Sequence, residues 1–186
     1  MSAVADPGVV ALASHLGTEP IVQHPCARCA RVQRTCCQRA EILVTDGDVG
    51  RIAHHTGRRD FAEFRAPLDP AYVAFDEDDP NWSRLTVRAD GTRHMLVRRV
   101  DGDCTFLGAA GCTLPTEVRP LVCRLYPFVY TELGITGIEG EYCPTSLLAP
   151  DGRDMAAVLG IPVEDARRWH GALYAELREE SRHGAA

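Results

Sequence analysis

The stretch CARCARVQRTCC, residues 26–37, places four of the chain's eight cysteines within twelve positions, two of them adjacent, with no acid among them. The fold turns on whether these thiols are cross-linked, buried or bound to something. A chain of 186 residues buries about 70% of its unfolded surface and needs no disulfide to fold. The opening MSAVADPGVVALASHLG has no basic start and carries Asp6 and Pro7 early, so it does not read as a secretion signal. No apolar run approaches the roughly eighteen residues that cross a bilayer. Both features place the expected compartment in the cytoplasm, where thiols stay reduced and structural disulfides are rare. Eight cysteines there point to metal or redox chemistry.

The formal charge is −6, and all twenty basic residues are arginine. That balance argues against nucleic acid or an anionic membrane as a partner over the surface as a whole. Locally the charge is uneven. Arg28, Arg31, Arg34 and Arg39 surround the first thiols, whereas FDEDDP (75–80) is acidic. Two readings stay open: solvated faces in a composition that favours arginine, or guanidiniums that balance an anionic thiolate site.

With no repeat and no long low-complexity linker, the pattern predicts an α+β fold: a small single domain with a β-hairpin, short helices, a cysteine-rich metal centre and a C-terminal helix. Residues 1–24 read as an arm, 25–145 as the metal-binding core and 146–186 as a C-terminal helical segment. AEILVT (40–45) predicts a strand. DGDVGRIAHHTG predicts a helix capped by Asp46 or Asp48 and stopped by Gly57. RRDFAEFRAPL predicts a second short helix. In RLTVRADGTRHMLVRRV (84–100) a D-G turn separates two alternating segments, which predicts a hairpin leading to Cys104. A helix is predicted near 116–125 with Thr116 as cap and Pro120 in its first turn. DGRDMAAVLG and PVEDARRWHGALYAELREESRHG predict two more, the last with Ala166, Trp169, Leu173 and Leu177 on one face for packing.

The cysteine spacing is C-x2-C-x6-CC, then C-x7-C-x10-C, with Cys143 after nineteen intervening residues. A C-x2-C pair turns two thiolates toward one ion, and soft thiolates select zinc, copper(I) or iron–sulfur centres. Side chains of consecutive residues tend to diverge, so Cys36 and Cys37 are not expected on one mononuclear ion; they serve two neighbouring metals, or one stands behind the ligands as a redox thiol. Eight thiols supply two four-thiolate centres, or one centre plus reserves. Structural disulfides, a cysteine nucleophile with a histidine base, and burial as small apolar residues are the competing readings. His24, His54, His55, His94 and His170 carry no nucleophile motif.

CARCARVQRTCC, followed by CTFLGAAGC and VRPLVCRLYPF, resembles the YkgJ-type cysteine-cluster family, the zinc- or iron-chelating CxxCxxxxCC domain. The likeness runs from Cys26 to Cys143. Six residues precede the paired cysteines here, where the family often has a more compact, glycine-bearing loop. The resemblance implies metal chelation by Cys26, Cys29, Cys36, Cys37, Cys104, Cys112, Cys123 and Cys143. The later block is also similar to that of flagellin lysine N-methylases, which implies methyl transfer, but GITGIEG lacks the spacing of a dinucleotide-type glycine motif.

On the predicted helix, Arg119 precedes Cys123 by four positions, which sets its guanidinium over the thiolate, and the helix start aims N–H groups at Cys123. Arg124 and Tyr126 supply hydrogen bonds to sulfur from behind the ligands. The expectation is therefore a protein that holds an iron–sulfur cluster or Zn2+ through cysteine thiolates. A metal-dependent methyl- or redox-group-transfer enzyme and a zinc-stabilised interaction module, with a protein partner on the C-terminal helix or the arginine patch, are the alternatives. The C-P pair at Cys143-Pro144 and the thiol count favour iron–sulfur.

Overall fold

The computed structural model describes residues 28–31, 33–74, 77–139, 145–149, 151–152 and 154–184. Its elements are helices α1 (Cys36–Arg39), α2 (Asp46–Thr56), α3 (Trp82–Thr86), α4 (Leu121–Leu125), α5 (Thr145–Leu148), α6 (Met155–Leu159) and α7 (Val163–Gly184), with strands β1 (Ala62–Arg65), β2 (Arg93–Leu96), β3 (Leu107–Gly108), β4 (Gly111–Cys112), β5 (Phe128–Thr131) and β6 (Gly134–Ile138). The strands form three antiparallel pairs, β1 with β2, β3 with β4 and β5 with β6. This is the mixed α+β architecture with small hairpins and a C-terminal helix that the pattern predicts.

Strand β2 is the hinge of the architecture. One edge pairs with β1, from Ala62↔Leu96 to Arg65↔Arg93. The other receives the extended residues 42–44: the Leu96 amide donates to the Ile42 carbonyl at 2.9 Å and the Val44 amide to the His94 carbonyl at 3.0 Å. Side chains alternate along an extended chain, so Leu43 enters one core, with Leu121, Leu125 and Trp169, and Val44 enters the other, with Ile52, Phe61 and Phe106. The predicted strand at 40–45 is thus extended chain shared between two cores.

Two expectations change here. RRDFAEFRAPL yields β1 rather than a helix, because β2 offers Ala62–Arg65 a full ladder and Phe64 stacks on its cross-strand partner His94 at 4.2 Å. The D-G turn forms, with Gly91 at φ +79° and the Arg88 amide bonded to the Thr92 carbonyl at 2.9 Å, but β2 does not pair back across it. Residues 82–86 instead form α3, because Trp82 and Leu85, three apart, share a helical face and pack against the same core.

Helix α2 is capped by Thr45, not by Asp46 or Asp48. Thr45 Oγ1 accepts from the Asp48 amide at 2.9 Å, and the Asp48 carboxylate accepts from the Thr45 amide at 3.2 Å, a reciprocal capping box. Gly57 stops the helix in the left-handed conformation, φ +69°. In α7 the predicted face is the buried one: Ala166, Trp169, Leu173 and Leu177 pack against Leu121 and Leu125 of α4. No helix among the described residues is long and apolar enough to cross a membrane.

Candidate metal centre

Each cysteine segment is held by backbone bonds that do not involve sulfur. Cys36 and Cys37 open α1, where the Gln38 side chain accepts from the Thr35 amide at 3.0 Å and the Gln38 amide donates to the Thr35 carbonyl at 2.9 Å. The chain returns to them through the turn at Gly102, φ +85°, where a side chain would strain the backbone. Cys104 then donates its amide to the Cys37 carbonyl at 2.7 Å. Arg98 fastens the junction from the side, with Nη1 to the Ala40 carbonyl and Nε to the Gly102 carbonyl, both at 2.6 Å. Cys112 sits on β4 opposite Leu107, and Cys123 lies in the middle of α4.

The helix predicted over 116–125 is two pieces. Thr116–Val118 form one 3-10 turn, and α4 starts at Leu121. Pro120 excludes the helical conformation at Arg119, which is extended at φ −57°, ψ 151°. Arg119 therefore does not stack over Cys123 by helical register. Its Nε donates to the Leu114 carbonyl at 3.0 Å, and its positive charge acts on Cys36. The first amide of α4, that of Leu121, goes to the Asp48 carboxylate at 3.1 Å, not to the Cys123 sulfur. Arg124 is buried, with Nε on the Arg119 carbonyl at 2.7 Å.

Thiols from three segments come within electrostatic reach of one another. Against the divergence expected of consecutive residues, the Cys37 thiol hydrogen-bonds the Cys36 sulfur, and this, with Arg119 adding to it, holds Cys36 below an ordinary thiol despite its burial. Cys37 is pushed far up, first because it is the donor in that bond, then by burial and by the sulfurs of Cys36, Cys123 and Cys104. Cys104 is raised by burial and by Cys112 and Cys36, against the pull of Arg98. Cys123 is raised well above an ordinary thiol by burial and then by Cys36, Cys104, Cys112 and Asp48. Cys29, packed with Leu148 and Met155, is raised by burial and also feels Cys36.

Five cysteines, Cys36, Cys37, Cys104, Cys112 and Cys123, line one cavity of about 890 Å³, whose wall also includes Arg119, Arg124 and Tyr126. None of His54, His55, His94 and His170 lines it, so its soft donors are sulfur. Among the described residues no three His, Cys, Asp or Glu side chains already enclose a single point. The donor chemistry fits a thiophilic metal: clustered thiols oppose one another's ionisation, and a cation in their midst removes that opposition. Cys26 and Cys143 lie outside the described residues.

One protein-family model matches the chain. Residues 25–144 match the family model CxxCxxCC, described as "Putative zinc- or iron-chelating domain". The chain belongs to this family. No curated protein and no solved structure matched the chain. The family's match spans every cysteine of the chain and ends before α7, so the helix that roofs the core with Trp169 and Leu173 lies beyond it.

Two features of the site were not anticipated. Asp48 ties the start of α2, through Thr45 and Arg51, to the Leu121 amide that opens α4, and the T-x-x-D box at Thr45–Asp48 is the signal that marks it. The cavity itself has no linear signal, because its walls come from residues far apart in the chain.

Proposed function

We propose that this chain holds an iron–sulfur cluster or zinc on thiolates drawn from α1, the Cys104–Cys112 turn and α4, with Cys29 close by. The observation that carries the reading is the shared cavity: five cysteines from three separated segments face one space. More thiols than one tetrahedral ion uses, two of them consecutive, favour a polynuclear centre. Cys26 and Cys143 extend the same ligand proposal. Arg119 acts here as a charge beside Cys36, and Arg124 and Tyr126 as groups behind the ligands. When bound, the metal would join the N-terminal cysteine segment to the turn and to α4, and a cluster would add one-electron chemistry.

The test is anaerobic purification followed by metal and acid-labile sulfide analysis with a visible spectrum. Brown protein with sulfide matching iron establishes the cluster. Colourless protein with stoichiometric zinc establishes the alternative metal. Protein that takes up neither iron nor zinc after reconstitution overturns the proposal.

A further inference from the structure

The cavity is much larger than a metal ion or a small cluster requires. Its volume of about 890 Å³ lies in the range of roughly 300–1,000 Å³ that encloses organic ligands. Beyond the thiols, its wall includes Tyr72, Trp82, Tyr130, Trp169 and the guanidinium-bearing Arg93.

Arg93 is the unusual member of that wall. It is 2% exposed. Nη1 donates to the Tyr72 carbonyl at 2.9 Å, and the guanidinium lies 5.5 Å from the Tyr72 ring and 5.9 Å from the Trp82 ring. Its Nε is buried with no hydrogen-bond partner. Among the described residues no carboxylate pairs with it: Glu41, whose charge reaches Arg93 only at a distance, is bonded to Arg65 and to the Leu68 and Asp69 amides, and Asp79 accepts from the Tyr174 hydroxyl through Oδ2 at 2.5 Å, its Oδ1 buried without a partner. A buried guanidinium with no carboxylate in contact is costly to keep. Aromatic faces offset only part of that cost. A visiting anion supplies the missing charge, and the guanidinium fork matches the plane of a carboxylate.

We infer that the cavity binds a small organic carboxylate with a flat ring, its carboxylate paired with Arg93 and its ring among Tyr72, Trp82, Tyr130 and Trp169. This goes beyond the metal reading and does not depend on it. A ligand held there sits in the same cavity as the thiols, which is the arrangement a group-transfer enzyme needs.

Both of the chain's tryptophans, Trp82 and Trp169, line the cavity, so intrinsic fluorescence reports its occupancy. The full-length protein, with metal content measured on the same sample, is titrated with phenylacetate, 4-hydroxyphenylacetate and 3-phenylpropionate, and with phenylacetamide as the uncharged counterpart. Saturable emission changes are expected for the carboxylates, with at least tenfold weaker binding of the amide. Arg93→Met is expected to weaken carboxylate binding at least tenfold. Where that variant fails to melt cooperatively, Arg93→Lys, which keeps the charge and loses the fork, is expected to weaken it several-fold. No saturable response to any of the three carboxylates, or equal affinity for the amide, overturns the inference. Carboxylate binding by metal-free protein supports it while counting against the metal reading; full metal content without carboxylate binding does the reverse.

Discussion

The amide of Cys104 donates to the carbonyl of Cys37 at 2.7 Å, so two cysteine segments 67 residues apart in number meet through backbone before any ion joins them. The centre thus has a protein hinge of its own. Removing the metal is expected to loosen this hinge without unfolding the whole chain. A structural thiolate site contributes about 10 kcal/mol or more where no fold exists without it. Here the α4–α7 core is built independently of sulfur, so a loss of a few kcal/mol is expected. Hydrogen exchange after chelation checks this: the Cys104 amide is expected to lose protection at least tenfold, and the amides of Leu173 and Leu177 far less.

Arg98 offers a way to weaken the hinge without touching a thiol. Its two 2.6 Å bonds, to the Ala40 and Gly102 carbonyls, hold both sides of the Cys37–Cys104 junction. Bonds from a charged donor are worth about 1.5–3 kcal/mol each. Arg98→Met is expected to cost roughly 3 kcal/mol in denaturant unfolding and to lower metal occupancy, as measured by elemental analysis. Cys104→Ser and Cys123→Ser are expected to lower occupancy further while leaving the unfolding slope intact. Full occupancy in both serine variants would remove those residues from the ligand set.

What the sequence reveals and what it hides divide along the range of the interactions. Helix limits set by neighbours a few residues apart are readable: Gly57 stops α2, and the four-residue spacing of Trp169, Leu173 and Leu177 marks the buried face of α7. Strand partners are not. β2 chooses β1 across an intervening helix, a choice made by burial of Phe61 and Leu96 in one core. Arg119 shows a local rule overlooked: the residue before Pro120 is barred from helix, so its distance from Cys123 cannot be counted in helical turns. The convergence of thiols is implied by their number and spacing. Arg93 gives no such sign, since an arginine in RHML looks like any solvated strand residue until Tyr72 and Trp82 close over it.

Asp48 is the second buried junction. It is 0% exposed and accepts from the Thr45 amide, from Arg51 and from the Leu121 amide that opens α4. Removing one partner of a buried charge pair typically costs 3–5 kcal/mol. Arg51 is partly solvated, so Asp48→Ala is expected at the lower end, roughly 3 kcal/mol. Asp48→Asn keeps an acceptor for the amides and is expected to cost about half as much. Thermal melts of the two variants check the ranking. Because Asp48 positions the helix that carries Cys123, the alanine variant is also expected to bind metal more weakly than the asparagine variant.

Stability should fall as the solution turns from acidic to neutral at one further site. Glu180 accepts from the Asp46 amide at 2.6 Å. Burial, with help from the charges of Asp46, Glu176 and Asp48, nevertheless pushes its carboxyl up to about 7 from an ordinary 4.5. Between those two values the folded chain holds a proton that the unfolded chain has released. Proton linkage then makes this group's contribution fully present below about 4.5 and progressively lost as pH rises to about 7. Glu180→Gln keeps the acceptor for Asp46 and carries no charge to bury. It is therefore expected to raise the melting temperature at pH 8 by a few degrees and to change it little at pH 4.5. A gain of equal size at both pH values would show that Glu180 destabilises the chain by packing rather than by charge.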